Sequence, residues 1–486
     1  MEEYKHGIYT SRKTAELPTP DKDMRNGVAV IGTAPVNLAV APAVNRVVAA
    51  CKKSEADATL GATEDFENYT LMHSVYAHFN LFGSAPVVFI NVLDPENDRH
   101  MEAVTGEDVK LVGKMGTIAQ AGIFLDKLTL SGEGGEFVPG KDYVASFDDA
   151  GHVTICATDD GSMAELDSVS ASYAKLKPSG VTAADIIGGV DEMGVRTGAE
   201  LLDEVYPRTG IIPSIIIAPG FSKDPAVAAV LETKAQLIYD LTNAEAFVDL
   251  DSSSEGADTK EKVREVKEKN VVSSRWNTPV WPMAMAGGHK IWGSALVAAM
   301  YQHSAVQNGG IPSSSASNQE AKIDGMCLED GTELFLTERQ VNDYVNAHGV
   351  VSFLRLPEWK LWGNNTAAYP AKKSPMDRFT KSVLMVNFME NVFKTEYMGY
   401  VDRNVDARLI QDVVNNFNIY LNSLTPDHLA GGSVVFDSAE NPTENIAAGH
   451  LKFHTRYADY SPAEAIEHEF EYDISIYKDV LEGGEE

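Results

Sequence analysis

Apolar strands that alternate with helices constrain the fold of this chain more than any other feature of its sequence. Residues 28–31 form a short apolar run that ends at Gly32, and residues 86–93 are apolar at nearly every position. Strands of this kind are typical of sheets that are covered on both faces. Between them, residues 65–82 carry apolar side chains at helical spacing. This order predicts a mostly parallel sheet with helices on both sides.

The same pattern returns after residue 188. Residues 211–218 and 246–250 are apolar runs of strand length. Between these two strands, Asp224 and Pro225 predict the start of a helix, because Asp caps a helix and Pro suits its first turn. The other predicted elements of this stretch are strands at 271–274 and 350–356 and a helix at 293–307.

The stretch between these two halves is rich in strand signals. Residues 143–147 and 152–156 are strand-like and flank the turn sequence DDAG at 148–151, which predicts a hairpin. Residues 123–130 are also predicted to be strand-like. We expect this stretch to form a separate domain that is inserted into the first one.

The C-terminal part combines helices and strands. Two long helices are predicted to start near Asp377 and Asp406, because apolar residues follow each at helical spacing. Residues 359–369 contain Trp359 and Trp362 and are predicted to be packed but irregular.

The predicted fold class is multidomain α/β plus β. Its parts are an N-terminal arm at 1–26, a discontinuous α/β core domain at 27–93 and 188–356, an inserted β-rich domain at 94–187, and an α+β C-terminal domain at 357–486 that ends in an extended strand arm.

Both ends of the chain carry strand-like segments without an obvious partner. Residues 4–10, which include Ile8 and Tyr9, are followed by polar chain with two prolines. Residues 466–477 have a period of two, with one face mostly apolar and the other mostly acidic. The first face consists of Ile466, His468, Phe470, Tyr472, Ile474 and Ile476. Unpaired strands of this kind are typical of segments that add to another sheet.

A second alternating segment lies upstream of this acidic strand. The polar face of residues 451–457 is basic, and residues 459–462 supply a turn. Pairing of the basic strand with the acidic one would contribute about 0.2–1 kcal/mol for each opposed pair. The sequence therefore predicts that these two strands can pair.

The composition excludes several classes of function. Lys and Arg number 40 and Asp and Glu 71, so the net charge is −31 and the surface repels nucleic acids and anionic membranes. No apolar run reaches the roughly 18 residues of a membrane span, and the polar residues 1–5 do not resemble a signal peptide. The three cysteines form no metal-binding spacing. We expect synthesis in a cytoplasm, no nucleic-acid partner and no direct membrane insertion.

Motifs for catalysis, cofactors and metals are incomplete. A GxxxxGK match ends at Lys141, but Asp142 follows where a P-loop needs Ser or Thr. Asp249 begins a calcium-loop spacing that lacks Gly at the turn and Glu at the twelfth position. His289 lies near Ser294, but the sequence marks no Asp as a third member of a triad. We predict no catalytic residue, no cofactor and no metal site.

Short motifs along the chain carry a resemblance to a known family. The series begins at residues 27–35 (GVAVIGTAP) and ends with the strand at 466–470. Its most characteristic part is residues 362–366 (WGNNT), followed by the helical stretch 388–393. The other members are residues 65–66, 89–93, 215–225, 274–276, 312–313, Asn404 and 431–432. In this order they resemble the contractile phage tail sheath proteins, a family that includes the sheaths of bacteriocin-type and related contractile injection systems.

The resemblance implies a structural subunit without enzymatic residues. Such subunits form a helical jacket around an inner tube, and they contract irreversibly to drive the tube through a target envelope. The implied partners are further copies of the chain, an inner tail tube protein, and baseplate and tail terminator proteins in the tail of a virion or contractile particle. The resemblance also implies that arms of different subunits pair in one small sheet, which would make both strand-like ends subunit interfaces.

Two other functions remain open on the sequence. A non-contractile self-assembling shell or surface-layer protein would share the acidic surface and the arms. An enzyme with an α/β core would need titratable residues that converge in a cleft, and the sequence marks none.

Overall fold

The computed structural model of the chain describes residues 25–148 and 150–477. Ile8 and Tyr9 of the predicted N-terminal arm lie outside these residues. The described part is a mixed α/β structure that contains several sheets.

The helices and strands have the following bounds. The strands are β1 (Arg25–Gly32), β2 (Val47–Ala50), β3 (Val87–Asn91), β4 (Met101–Lys110), β5 (Met115–Ile118), β6 (Thr129–Gly132), β7 (Gly135–Glu136), β8 (Tyr143–Phe147), β9 (Val153–Ala157), β10 (Ser168–Leu176), β11 (Gly189–Val190), β12 (Arg196–Thr197), β13 (Ile211–Ile217), β14 (Glu245–Asp249), β15 (Asn277–Val280), β16 (Met283–Ala286), β17 (His289–Ile291), β18 (Gly325–Cys327), β19 (Glu333–Leu334), β20 (Ser352–Leu356), β21 (Glu358–Trp362), β22 (Leu429–Val435) and β23 (His454–Asp459). The α-helices are α1 (Lys53–Leu60), α2 (Leu71–Val75), α3 (Ala183–Ile187), α4 (Val205–Thr209), α5 (Pro225–Gln236), α6 (Val263–Lys269), α7 (Gly293–Gln307), α8 (Glu338–Tyr344), α9 (Pro375–Arg378), α10 (Thr380–Tyr397), α11 (Ala407–Ser423) and α12 (Thr443–Ala447).

A six-stranded sheet forms the centre of the structure, in the order β15-β14-β13-β1-β3-β2. Neighbouring strands in it run parallel, except that β2 is antiparallel to β3. Val28 of β1 lies between Val87 of β3 and Ile215 of β13, and all three side chains are buried. The mostly parallel sheet predicted from the apolar runs is confirmed.

Two groups of helices pack on this sheet. One group contains α7, α2 and a π-helix at Tyr76–Phe82. The other contains α4, α5 and a 3-10 helix at Gly198–Glu204. The predicted start of α5 is confirmed, because the Asp224 carboxylate accepts a hydrogen bond from the amide of Ala226 at 2.8 Å.

Strands β4 to β10 lie between β3 and β13 in sequence and form two further sheets. Their orders are β4-β10-β6-β7 and β5-β9-β8. They enclose a buried cluster of their own, which includes Leu130 and Ile155. The predicted hairpin is confirmed as β8 and β9, with Asp148 accepting hydrogen bonds from the amides of Ala150 and His152 across its turn.

The C-terminal helices and strands surround a third buried cluster. Met385 of α10, Phe417 of α11 and Val434 of β22 belong to it. The predicted start of a helix near Asp406 is confirmed as α11, and the Asp406 carboxylate caps it by accepting a hydrogen bond from the amide of Leu409 at 2.7 Å.

Two predictions in the core are wrong. The strand predicted at 271–274 is a turn, in which the exposed Val271 has a φ of 55° and its amide donates to Glu268. The sheet strand follows as β15. The segment predicted as irregular instead begins with β21, which pairs with β20. In β21, Trp359 and Leu361 are buried, and the residues that alternate with them are more exposed. This is a short pattern with a period of two.

Two predicted elements are shorter than expected. The predicted strand at 123–130 contains a 3-10 turn at Leu125–Lys127, and β6 begins only at Thr129. The helix predicted from residue 65 begins at Leu71, because the Asp65 carboxylate accepts from the amide of Asn68 and stabilises a turn there. Within the described residues, no helix combines the length and apolar character needed to cross a bilayer.

Candidate functional site

A two-stranded antiparallel sheet, formed by β22 and β23, lies beside α10 and α11. Gly432 pairs with Tyr457, and Val434 pairs with Thr455. Within the described chain the basic strand, β23, pairs with β22, and residues 461–473 belong to no strand, so pairing with the acidic segment is not formed within one subunit. Strand β22 could not be predicted from the sequence, because Gly431 and Gly432 weaken its strand pattern.

The outer edge of β22 is closed by a side chain of α11. Asn418 donates through Nδ2 to the carbonyl of Val434 at 2.9 Å and accepts through Oδ1 from the amide of Val434 at 2.9 Å. Both backbone groups of Val434 therefore point away from β23. In an antiparallel ladder, the partner Thr455 must then direct its own amide and carbonyl to the opposite side, and so must Tyr457, two residues further along. The outer edge of β23 presents these groups, and no strand of the described chain pairs with it.

A groove of about 300 Å³ runs beside β23. It is lined by Val386, Met389, Glu390, Phe393, Lys394, Phe417, Phe453, Thr455 and Tyr457. The Tyr457 hydroxyl is buried and has no hydrogen-bond partner within the part of the chain that the structure describes. Burial raises the pKa of Tyr457 to about 12, so the hydroxyl stays protonated and can donate to a group that enters the groove.

The residues predicted as the C-terminal interface are exposed. The exposed fractions are 88% for Ile466, 86% for Phe470 and 76% for Tyr472, and Ile474 and Ile476 follow the same trend. Residues 461–473 belong to no helix or strand.

Within this arm the structure brings two predicted interface residues together. The rings of His468 and Phe470 lie 4.2 Å apart. The other large apolar side chains of the arm are exposed, and contiguous exposed apolar side chains are typical of interaction surfaces.

The root of the arm is held by residues that the sequence analysis missed. The Glu464 carboxylate accepts hydrogen bonds from Nη2 of Arg378 at 2.6 Å and from Nδ2 of Asn365 at 3.1 Å. Upstream, Asp459 accepts from Nζ of Lys381 at 2.9 Å and from the Ser382 hydroxyl at 2.6 Å. The only sequence signal for this cluster is a pair of basic residues near the start of α10, and it does not identify the acidic partners.

The incomplete motifs have structural roles. Backbone amides of Val138 and Ser162 donate to Asp142 and lower its pKa to about 2, so a carboxylate occupies the loop where a P-loop would hold phosphate. Lys141 precedes it in a chain that enters β8 rather than a helix.

Asp249 lies buried at the end of β14. Its carboxylate accepts hydrogen bonds from the amide of Gly220, from the Ser222 hydroxyl, and from both the amide and the hydroxyl of Ser294. His289 stacks on Phe66 with ring centroids 4.3 Å apart. Among residues 25–148 and 150–477, no group of three or more His, Cys, Asp or Glu is placed to hold a metal ion.

Comparisons with known proteins identify similar chains. No protein-family model matches this chain. It is 27% identical over 505 aligned positions to a protein named tail sheath protein from Burkholderia phage BcepMu, and the match covers 99% of each chain. It is 23% identical over 298 positions to the tail sheath protein of Escherichia phage P2, covering 58% of this chain and 69% of that one.

A solved structure shares the fold. The cryo-EM structure of the helical sheath of the anti-feeding prophage, in its contracted state, is similar to 96% of this chain and 99% of its own, with a TM-score of 0.55 and 12% identity. The motif order, the full-length match to a phage sheath protein and the shared fold agree. The chain is similar over its full length to a phage tail sheath protein, and it shares the fold of a contractile sheath.

Proposed function

We infer that the chain is a structural subunit of a contractile tail sheath, and we propose that it polymerises helically around an inner tube and contracts to drive that tube through a target envelope. The full-length match to a phage tail sheath protein is the observation that carries this function. The proposed partners are other copies of the chain, an inner tail tube protein, and baseplate and tail terminator proteins. Its proposed place is the tail of a virion or a related contractile particle.

Separate buried clusters in the inserted and C-terminal parts support the proposed domain division, although Ile186 and Leu361 pack in the cluster of the core. The α/β core domain comprises 27–93 and 188–356, with the inserted β-rich domain at 94–187 and the C-terminal domain at 357–486. The inserted domain has its own cluster of buried residues, from Val109 to Tyr173. A separate cluster also supports the C-terminal domain.

The outer edge of β23 is the proposed acceptor for the C-terminal arm of a neighbouring subunit. A strand added there would pair with the amides and carbonyls of Thr455 and Tyr457. Its alternate side chains would enter the apolar groove, which matches the apolar face of the arm. This pairing would give the exposed Phe470 a buried environment worth about 1.5–3 kcal/mol.

Charge complementarity favours the same arrangement. His454 and Arg456 lie on the exposed face of β23, away from the groove. The acidic face of an added arm, which carries Glu467, Glu469 and Glu471, would lie beside them. The basic and acidic strands that do not pair within one chain would then pair between chains.

The N-terminal arm is proposed to take part in the same small sheet through Ile8 and Tyr9. The strand-like sequence of residues 4–10, which is followed by polar chain with two prolines, supports this role. Arms that link neighbours could stay paired while the subunit bodies change position during contraction.

A structural role also fits the buried polar groups of the core. Asp249 is buried and accepts four hydrogen bonds from Gly220, Ser222 and Ser294, so its carboxylate is engaged in packing β14 against neighbouring segments. We therefore assign no catalytic residue.

Two variants, one that removes the N-terminal arm and one that disrupts the C-terminal arm, test this function. Deletion of residues 1–14 should give folded monomers that do not polymerise. Phe470→Pro should do the same, because proline removes a ladder amide from the added strand. The control is Lys373→Pro, in the exposed loop before α9, which should leave tube formation unchanged. Electron microscopy scores the tubes, and circular dichroism with sizing checks the fold.

Each result has one meaning. Normal tubes from the 1–14 deletion would contradict exchange of the N-terminal arm, and normal tubes from Phe470→Pro would contradict exchange of the C-terminal arm. If the unmodified chain forms flat or closed shells instead of hollow tubes, the sheath function itself is contradicted.

A further inference from the structure

Two basic side chains lie at an unfavourable place near the start of α10. Arg378 ends α9, and Lys381 belongs to the first turn of α10. A helix N-terminus carries partial positive charge and favours acidic side chains. Lys381 is also only 2% exposed, and a buried cation is costly unless it is paired. Both residues therefore need anionic partners.

The partners of these cations come from the root of the C-terminal arm. Lys381 donates through Nζ to the Asp459 carboxylate at 2.9 Å and also to the carbonyl of Tyr460. Arg378 donates through Nη2 to both oxygens of Glu464, each at 2.6 Å. The chain is thus held at the end of β23 and again five positions later.

The second contact is rigid. The Arg378 guanidinium lies 4.4 Å from the ring centroid of Tyr369 and 4.5 Å from that of Phe379. Its Nε donates to Oδ1 of Asn365 at 2.8 Å, and Nδ2 of Asn365 donates to Glu464 at 3.1 Å. Stacking and hydrogen bonding fix both groups before they meet the carboxylate.

The chain is largely exposed on both sides of this contact, and beyond it no described residue bonds to the body of the subunit. The Glu464 side chain is 44% exposed, whereas Ile466 is 88% exposed. Every residue from 465 to 477 is exposed. Glu464 is therefore the last point at which the described arm is attached to its own subunit.

We propose that Arg378, Asn365 and Lys381 are positioning residues that fix the exit of the C-terminal arm, so that the exchangeable strand begins at Ala465. This proposal rests on the proposed exchange of that arm between subunits. Release of Glu464 would add residues 461–464 to the free tether, about 13 Å at roughly 3.3 Å per residue. A longer and less directed tether lowers the effective concentration of the strand at the neighbouring β23 edge.

The test compares Glu464→Ala with Glu396→Ala in the full chain. Glu396 is an exposed acidic residue on α10, and it makes no ion pair within the described residues. In the free subunit, Glu464→Ala should raise the rate of proteinase K cleavage within residues 461–464 several-fold, while β22 and β23 stay intact. The protein concentration at which half of the chains form tubes should rise several-fold. Glu396→Ala should change neither quantity.

Each part of the proposal can fail separately. An unchanged cleavage rate within 461–464 in Glu464→Ala would overturn the anchor. Faster cleavage with an unchanged assembly concentration would overturn its positioning role. A chain that lacks residues 466–486 tests the proposed function separately. If that chain still forms normal tubes, the proposed exchange of the C-terminal arm is wrong, whatever the cleavage rate of Glu464→Ala.

Discussion

At the scale of single residues, a series of hydrogen-bonded side chains that begins at Glu245 joins the central sheet to α10. Glu245 is fully buried in β14, and its carboxyl group lies 2.5 Å from the Thr278 hydroxyl of β15. Thr278 in turn lies 2.8 Å from the hydroxyl of Thr380, the first residue of α10. Burial raises the pKa of Glu245 well above its usual value. The folded chain therefore keeps this carboxyl group protonated at pH values where an exposed Glu is ionised.

This protonation predicts a pH-dependent stability. The folded-state pKa of Glu245 is raised, so its contribution is complete below the unfolded-state value of about 4.3. The contribution is lost as pH rises from there to the folded-state pKa, with a slope of up to about 1.4 kcal/mol per pH unit. Glu245→Gln keeps an acceptor for Thr278 but cannot ionise. Denaturant unfolding of the free subunit between pH 5 and 8 should give a flatter profile for Glu245→Gln, and parallel profiles would contradict the assignment.

Residues that act through distant partners could not be predicted from the sequence. Arg378 and Glu464 are separated by 86 positions, and no local pattern connects them. Lys381 appears in the sequence as an ordinary basic residue of an amphipathic helix. Its burial follows only from the packing of the arm root against α10.

At the scale of elements, the two-stranded sheet of β22 and β23 has one edge that is covered and one that is open. Asn418 of α11 closes β22 by accepting from and donating to the backbone of Val434. The outer edge of β23 has no such cover within the described chain. Uncovered edges are usually avoided because they recruit other strands. An edge that is left open beside an apolar groove therefore favours a role in assembly.

Loss of the closing side chain should be measurable. Asn418→Ala leaves the amide and carbonyl of Val434 without their partner, and we expect a loss of about 1–3 kcal/mol in the free energy of unfolding. Asn415→Ala, at an exposed position of the same helix, should stay within about 0.5 kcal/mol of the unmodified chain. Denaturant unfolding of free subunits compares the two. Equal stability of both variants would contradict the role of Asn418.

The elements that the sequence predicted well are those with continuous local signals. Strands β1, β3, β13 and β14 are apolar runs, and α7 has the predicted bounds. Strand β15 was missed because Asn277, Thr278 and Pro279 do not form an apolar run, and tertiary packing places them in the sheet. The edge properties of β23 were also beyond prediction, because they depend on Asn418 contacting a strand that the sequence hides.

At the scale of the whole molecule, three larger buried clusters and an exposed arm lie within one acidic chain. The net charge of −31 makes neighbouring copies repel at long range. Specific strand pairing and burial of apolar side chains must then supply the attraction, and added salt should screen the repulsion. The order of motifs predicted the family, but it did not give the acceptor surface on the body of the subunit.

The pairing of arms between subunits is the central structural claim, and disulfide formation tests it most directly. Side chains directly opposite each other on one face of a ladder have Cβ atoms about 4.5–5.5 Å apart, close to disulfide geometry. The design replaces the exposed Cys51 and Cys156 by Ser and introduces Arg456→Cys on β23. It then adds one of Glu467→Cys, Glu469→Cys or Glu471→Cys.

Assembled tubes of each double variant are oxidised and separated on a denaturing, non-reducing gel. The predicted result is a ladder of covalent multimers for at least one arm position, because each arm would join the next subunit, and the ladder should vanish on reduction. Tubes that form normally but give only monomers at all three arm positions would contradict the exchange of the C-terminal arm.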